Sequence, residues 1–481
     1  MRTESEQPRL CAELLFLAGL LGFYAFVGTF DAAFDARLAN IIGSTALGAI
    51  LFWSTLSQLQ SEPLAIWGAL IWFRIACAVY YAFGALIPYV GSSSTVHSMK
   101  SLYPFSDGEL LKVNGIVAVA VFLVLSASWL VSSNISRAPA SHGSSSPGQL
   151  ALAGGAFLLV GGVARYGSIV PALTESGSGQ LFGSIAAVAK TYSAGLMLLL
   201  LYGLFNRRWV VAVALALIAI ELFIGLLLFN KTDLVVTTLF VILAFYHARP
   251  SRRRLAVGGV IAISVFTQIA PLVEYGRDRI LQLNDGLPAA SLGQRLEIVR
   301  EYLEQPQWAL HQPDGLRPAL NRVSYVNAMT MVVAWYDKGH TGSTLDNALA
   351  VVIPRILWSG KPIMTASGQE LYGEATGKIG TSISGGLFAE AYWNFGWFGL
   401  PLLLLPLGIV LGIISKIGVD MIKRGRWLYL PVALLGIQIG TRVDGHYVTD
   451  VIGASAILFA VYLLLRLFEL IIFSVRERSI P

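Results

Sequence analysis

The sequence is poor in charge, cysteine and histidine. Asp, Glu, Lys and Arg make up 13% of its 481 residues, about half the share in a soluble domain. Two cysteines exclude a disulfide scaffold. Six scattered histidines give no structural zinc spacing, and HExxH is missing. The nearest stretch to GxxxxGK[ST], Gly373 to Lys378, is one residue short and runs into Ile379, which excludes a P-loop ATPase. GxSxG is absent, and so is any Asp-x-Asp pair that would hold a divalent cation on a nucleotide sugar. Transferase chemistry in such a chain is expected to use a lipid-linked donor, no metal and no cofactor.

Apolar residues are abundant instead, at 55% of the chain with a mean hydropathy of +0.67. Folded in water, the chain would bury far more apolar surface than one core needs. The expected fold class is an all-α polytopic membrane protein with about twelve spans. Windows of about 19 residues place them near 11–30, 38–57, 64–87, 113–133, 149–166, 180–205, 209–229, 232–247, 255–273, 397–416, 427–445 and 448–473. The first run lacks a small-residue cleavage pattern and reads as a span. Glycines in the fifth, Gly154, Gly155, Gly161 and Gly162, permit close helix approach.

Basic residues set the orientation. Alternate connections hold Arg137, Arg207 and Arg208, Arg249 with Arg252 to Arg254, Lys423 with Arg424 and Arg426, and Arg476 with Arg478. The opposite short connections hold mainly Arg37, Lys100, Lys112, Lys231 and Arg442. This asymmetry predicts cytoplasmic termini and a long extracytoplasmic loop, which the resemblance described below implies is periplasmic, in a bacterial inner membrane. The net charge of +6 is then an orientation signal, and no nucleic-acid partner is implied. The expected organisation is residues 1–273 as nine spans, 274–396 as the periplasmic loop, and 397–481 as the last three spans with a cytoplasmic C-terminus.

The loop has helical periodicity at 292–305, 318–337 and 344–353, and loops of this length are usually functional. Its core reads Pro354-Arg355-Ile356-Leu357-Trp358-Ser359-Gly360-Lys361-Pro362. Arg355 and Lys361, held by prolines and an aromatic, suit a phosphate or pyrophosphate. Arg322, Arg317 and Arg295 are further candidate ligands, with Arg322 alternatively pairing with Asp337 or Asp346. Downstream, Glu390 stands just before a span. His340 lies in a Gly339-His340-Thr341-Gly342 turn. Arg442, Asp444 and His446 crowd the outer end of the eleventh span.

The element Ile353-Pro354-Arg355-x-x-Trp358-x-x-Lys361-Pro362, followed by Glu390-Ala391-Tyr392-x-Asn394-Phe395-Gly396-x-x-Gly399, resembles the oligosaccharide repeat-unit polymerases. These Wzy-type enzymes build O-antigen and exopolysaccharide. The likeness covers about residues 340–400, and the Asn230-Lys231-Thr232-Asp233 step sits where that family often has a short polar motif. Ser359-Gly360 departs from the Pro-Asp or Pro-Asn common there. The resemblance implies a GT-C-like architecture and glycosyl transfer from undecaprenyl pyrophosphate to the sugar of another lipid-linked repeat unit. A chain-length regulator is a further partner it suggests. Such a reaction needs cations for the pyrophosphate leaving group, here Arg355, Lys361, Arg322, Arg317, Arg295, Lys231 and Arg442. It also needs a base for the acceptor hydroxyl, for which Glu390 leads and His340 is the rival.

An O-antigen ligase, transferring glycan to lipid A-core, is the alternative within the same chemistry. A flippase or transporter would use the intramembrane ionisable residues Lys190, Glu221 and Arg74. Depth arithmetic at ~1.5 Å per residue predicts a Lys190–Glu221 pair and leaves Arg74 with no obvious acid.

Overall fold

The computed structural model describes residues 6–29, 35–134, 147–174, 185, 188–283, 290–304, 317–353, 358, 360–362, 368–369, 373 and 384–478. Among these residues the chain is helical, with no strand. Nine helices are long and apolar enough to cross a membrane. Three shorter apolar helices, Thr191–Asn206, Asp233–Ala248 and Trp427–Thr441, fall where the sequence places the sixth, eighth and eleventh spans.

In chain order the helices are α1 (Glu6–Thr29), α2 (Ala36–Ser61), α3 (Ala69–Cys77), α4 (Gly84–Val90), α5 (Ser93–Leu102), α6 (Asp107–Asn134), α7 (Pro147–Ala164) and α8 (Val170–Thr174). Next come α9 (Thr191–Asn206), α10 (Arg208–Leu227), α11 (Lys231–Ala248), α12 (Arg252–Leu283), α13 (Leu292–Glu304), α14 (Arg317–Val323), α15 (Val326–Asp337) and α16 (Ala348–Val352). The chain ends with α17 (Leu387–Phe395), α18 (Gly399–Lys423), α19 (Leu430–Thr441) and α20 (Ala454–Arg478). Wider π-helical turns follow α3 at Ala78–Phe83, follow α7 at Arg165–Ile169 and precede α20 at Tyr447–Gly453.

Local chemistry explains several boundaries. Ser106 and Glu109 form a reciprocal cap at the start of α6: Ser106 N–H donates to Glu109 Oε2 at 2.8 Å, and Glu109 N–H donates to Ser106 Oγ at 3.2 Å. The helix expected over 318–337 breaks into α14 and α15. At the break, Ser324 is buried and its hydroxyl donates to the Gly84 carbonyl at 2.8 Å. A serine so engaged competes with the helix's own bonds. α12 runs ten residues beyond the expected end of the ninth span at 273. Gly161 lets α7 meet the start of α9, because a Cβ there would strike the backbone of Tyr192. Gly154 also faces α9, whereas Gly155 meets nothing.

The inserted loop joins the bundle rather than hanging from it. Val326, Met329 and Val332 of α15 share one core with Tyr81, Val117, Phe388 and Leu404. Two ends of the bundle are fixed by polar contacts. At one, Lys423 pairs with Glu62, and His247 stacks edge-on between Trp67 and Trp427. At the other, here the loop end, Asn321 donates to Ser98 at 3.0 Å, Lys112 pairs with Asp337, and Arg322 pairs with Asp444.

The buried charges pair differently from the sequence expectation. Arg74 has an acid after all: its Nε and Nη2 reach the two oxygens of Glu13, both at 2.8 Å, and its Nη1 donates to Gln58 Oε1 at 2.7 Å. Glu221 pairs with Arg165 and accepts from the Tyr166 hydroxyl at 2.6 Å, and Arg165 also holds Asp233 at 3.0 Å. Lys190 instead donates to Gln438 Oε1 at 3.3 Å. The expected Lys190–Glu221 pair does not form, because the two side chains share a depth but face different neighbours.

Candidate functional site

The site forms where α17 meets the segment joining α19 to α20. Residues Leu387 to Asn394 of α17 are all buried, so this short helix has no solvated face and must satisfy its polar groups inside the protein. Its start is set by Gly386, at φ +85° and ψ 161°, a region essentially reserved for glycine. A Cβ there would also strike the Tyr81 hydroxyl. Leu387 N–H then donates to the Val443 carbonyl at 3.0 Å, and the Tyr81 hydroxyl donates to the same carbonyl at 2.9 Å. The Tyr81 ring lies on Phe388, with centroids 4.9 Å apart. Gly386→Ala is expected to cost about 1–3 kcal/mol and to displace the carboxylate one turn on. A thermal melt of the purified variant checks this, and an unchanged melting temperature would contradict it.

That carboxylate is Glu390, only 3% exposed. Its Oε2 accepts from Tyr447 N–H at 2.8 Å and lies 3.7 Å from His446 Nδ1. Its Oε1 is buried with no hydrogen-bond partner among the described residues. Such an orphan is rare, since buried polar atoms are nearly always paired. The backbone N–H of His446 and the Thr449 hydroxyl both donate to Asp450 Oδ2, at 3.0 and 3.2 Å, which fixes the turn that carries the histidine.

Two arginines pair with carboxylates of the segment that carries His446. Arg322 Nη2 donates to Asp444 Oδ2 at 3.1 Å, and its guanidinium lies 6.0 Å from the centre of the Tyr325 ring. Arg442 Nε stands 4.0 Å from Asp450 Oδ1. Burial pushes the Tyr325 hydroxyl up, so it stays protonated and donates to the Ser384 carbonyl at 2.6 Å. Burial also raises the Asp444 carboxyl, against the lowering charges of Arg322 and Arg442. For His446, burial favours the neutral ring, but the contact with Glu390 and the charges of Glu390 and Asp450 outweigh it and raise the group above 6.5.

These shifts carry a pH dependence of definite sign. A folded-state value above the unfolded one gives stability that is present at low pH and lost as pH rises through the folded value. For His446 the loss begins near pH 6.5. For Asp444 it begins near pH 3.8, so the two act in different windows. The melting temperature should fall as pH rises from about 6.5, and His446→Gln should flatten that limb. A wild-type melting temperature that rises across the same window would contradict the pairing.

The sequence-derived candidates divide sharply. Glu390, Arg322 and Arg442 come together here. Lys231, half-buried at the first residue of α11, borders the cluster and acts electrostatically on Arg322. His340 does not join: its exposed ring stacks on Trp335 at 4.1 Å, and only its carbonyl is engaged, accepting from Trp393 Nε1 at 3.0 Å. Arg295 is a strut rather than a free cation. It is 4% exposed, with Nε on the Ala290 carbonyl at 2.9 Å and Nη1 on the Leu227 carbonyl at 3.2 Å. Lys361 Nζ donates to the carbonyls of Val351 and Ile353 at 3.1 and 2.9 Å, closing the end of α16. Arg317 is the first residue of α14. Arg355 lies outside the described residues. The partnership of His446 with Glu390 had no local signal, since the two residues lie on segments separated by α18 and α19.

Among the described residues no group of three or more His, Cys, Asp or Glu is placed to hold a metal ion. The cluster offers acid–base groups: a buried carboxylate with one oxygen held and the other without a partner among the described residues, an imidazole at 3.7 Å, and two guanidinium groups paired with Asp444 and Asp450 on the same segment as that imidazole. No protein-family profile, curated protein or solved structure matches this chain.

Proposed function

We propose that the protein is a glycosyltransferase that polymerises undecaprenyl-pyrophosphate-linked oligosaccharide repeat units at the loop end of the bundle. In this reading the nine long and three shorter apolar helices are twelve spans of the inner membrane. The basic connections keep the termini in the cytoplasm, so the loop end faces the periplasm. The observation that carries the reading is the unpartnered Oε1 of Glu390. A sugar hydroxyl delivered to that oxygen meets an acceptor with no competing donor among the described residues.

Tyr447 N–H and His446 fix the other oxygen and so aim the carboxylate. The hydroxyl proton passes to Oε1 of Glu390 as the sugar oxygen forms its bond to the donor carbon and the pyrophosphate leaves. Arg322 and Arg442 offer guanidinium groups near the leaving pyrophosphate, where negative charge develops. Arg355 and Lys361 of the Pro-Arg and Lys-Pro element would complete that set. Asp444 and Asp450 hold the two arginines in position without substrate. Tyr325, whose ring centre lies 6.0 Å from the Arg322 guanidinium, borders the site and suits the apolar face of a sugar.

Removing the protein from the cell that makes it should leave lipid carriers bearing single repeat units. Mass spectrometry of extracted lipids reads this directly. Carriers with long glycans in the deletion strain, accompanied by loss of glycan on lipid A-core, would favour the ligase instead.

A further inference from the structure

Glu390 cannot stay protonated if a glycan is to keep growing. Each bond formed in the proposed reaction leaves one proton on Oε1, and the next acceptor hydroxyl needs the carboxylate back. Water does not reach that oxygen: the Glu390 side chain is 4% exposed, and Oε1 is buried with no partner among the described residues. Among those residues no lysine or arginine comes within ion-pair distance of Glu390, and Arg322 and Arg442 pair with Asp444 and Asp450 instead. The imidazole of His446, with Nδ1 at 3.7 Å from Oε2, is its charge partner. That separation exceeds a hydrogen bond, as proton-transfer contacts often do before substrate closes the site.

The ring suits a further transfer. The His446 side chain is 16% exposed against 4% for Glu390, so it is the member of the pair that water meets. Its two ring nitrogens can take a proton at one position and release another elsewhere. The backbone beneath it is clamped. His446 N–H donates to Asp450 Oδ2 at 3.0 Å, and Asp450 N–H donates to the His446 carbonyl at 2.8 Å. Gly445 makes room for the clamp, because a Cβ there would collide with the Asp450 carboxylate. Tyr447 N–H, opening the π-helical turn, holds Oε2 at 2.8 Å beside the ring.

The surrounding charges give the pair a direction. Burial works to lower the ring, while Glu390 of α17 and Asp450 of its own turn raise it above 6.5. Other elements against this turn bring no charge to it. Val351 of α16 abuts Gly453, and α16 has no ionisable residue. The Tyr447 hydroxyl donates to the Leu403 carbonyl of α18, at 2.7 Å, in an apolar stretch. The first charged residue of α20 is Arg466. Once Glu390 takes the hydroxyl proton, a charge that favours the imidazolium is gone and burial favours the neutral ring.

We propose that His446 is the outlet through which Glu390 returns the acceptor proton to water after each bond. The proposal rests on the polymerase reading for the source of that proton. The proton leaves the sugar hydroxyl for Oε1, and the protonated ring then gives one proton to water. A half-turn of the neutral carboxyl brings its O–H to the histidine side. The ring, in the tautomer that leaves Nδ1 bare, takes that proton. Ionised Glu390 again faces protonated His446, and one proton has passed to water for each bond formed. His446 acts through Glu390 and touches no substrate.

Two measurements on the full-length protein in nanodiscs test this. The first needs no turnover: the ring titration of isotope-labelled His446 is followed by NMR in wild type and in Glu390→Gln, which imitates the protonated carboxyl. His446→Gln identifies the signal. Losing an opposite charge at this distance should lower the ring by about 1–3 units. A titration that does not move overturns the outlet, whether or not the protein polymerises. The second measurement separates the first bond from those that follow. His446→Gln can still donate to Oε2 but cannot relay a proton. Its steady-state rate should fall about tenfold or more beyond any fall in the first-bond rate, read with enzyme in excess. Free imidazole should restore steady turnover to His446→Ala. Equal loss in both phases, or wild-type turnover from His446→Gln, overturns the proposal, the second result meaning that the proton leaves with the pyrophosphate. A wild-type protein that shows the shifted titration but forms no glycosidic bond supports the coupled pair and contradicts the polymerase reading alone.

Discussion

Glu390→Gln is expected to stop chain growth while leaving donor binding intact. The amide keeps the side chain's volume, and its oxygen can still accept from Tyr447 N–H, so α17 need not move. What disappears is the proton acceptor and the negative charge that raises the His446 imidazole against the opposing effect of burial. A positioned general base contributes roughly 10²–10⁴-fold, and a loss of that size leaves no polymer on a gel. Glu390→Asp retains the charge but withdraws it from the Tyr447 amide, so an intermediate rate is expected. His340→Ala should polymerise at nearly the wild-type rate, because its ring rests on Trp335 outside the cluster. Normal polymer from Glu390→Gln together with none from His340→Ala would reverse the two assignments.

The second large effect is on stability. Arg74→Met leaves the Glu13 carboxylate buried without its cation, and Glu13 has no exposed surface. Breaking a buried pair by removing one partner costs about 3–5 kcal/mol. The pair ties α1 to α3, with Gln58 of α2 as a third contact, so all three helices should loosen together. The double variant Glu13→Leu/Arg74→Met removes both charges at once and should recover most of the loss. Size-exclusion profiles and thermal melts in detergent measure it. A single variant as stable as wild type, or a double variant no better than the single, would show that the pair does not hold this corner of the bundle.

Hydropathy carried the fold class, because a helix in lipid must be apolar over nearly its whole length. The helices of the inserted loop were readable from periodicity, except where Ser324 interrupts one of them through a bond to Gly84. Pairing of buried charges was not readable. Residue counting gives a side chain's height in the membrane but neither its azimuth nor its neighbours, so Lys190 and Glu221 were matched by depth. Glu221 actually meets Arg165, whose π-helical turn sets it inside the bundle rather than at a helix end. Glu13 and Arg74 are 61 residues apart and meet only because α2 packs against both α1 and α3. In the site, residue type pointed to Glu390, Arg322 and Arg442 individually. Their assembly depends on the Gly386 turn and on the Val443 carbonyl, two backbone features with no side-chain signature. Arg295 shows the opposite failure. A loop arginine on an amphipathic helix looks available, yet its guanidinium supports the α10–α11 junction.

The central claim is that this chain alone lengthens a lipid-linked glycan. Purified protein in nanodiscs, given a single undecaprenyl-pyrophosphate-linked oligosaccharide, should convert it to a ladder of multiples with one undecaprenyl pyrophosphate released per bond formed. Electrophoresis of the glycans and mass spectrometry of the lipids report both products from one reaction. A ladder that vanishes in Glu390→Gln is the predicted result. Unchanged monomer from a well-folded wild-type protein, or transfer that begins only when lipid A-core is added, would contradict it.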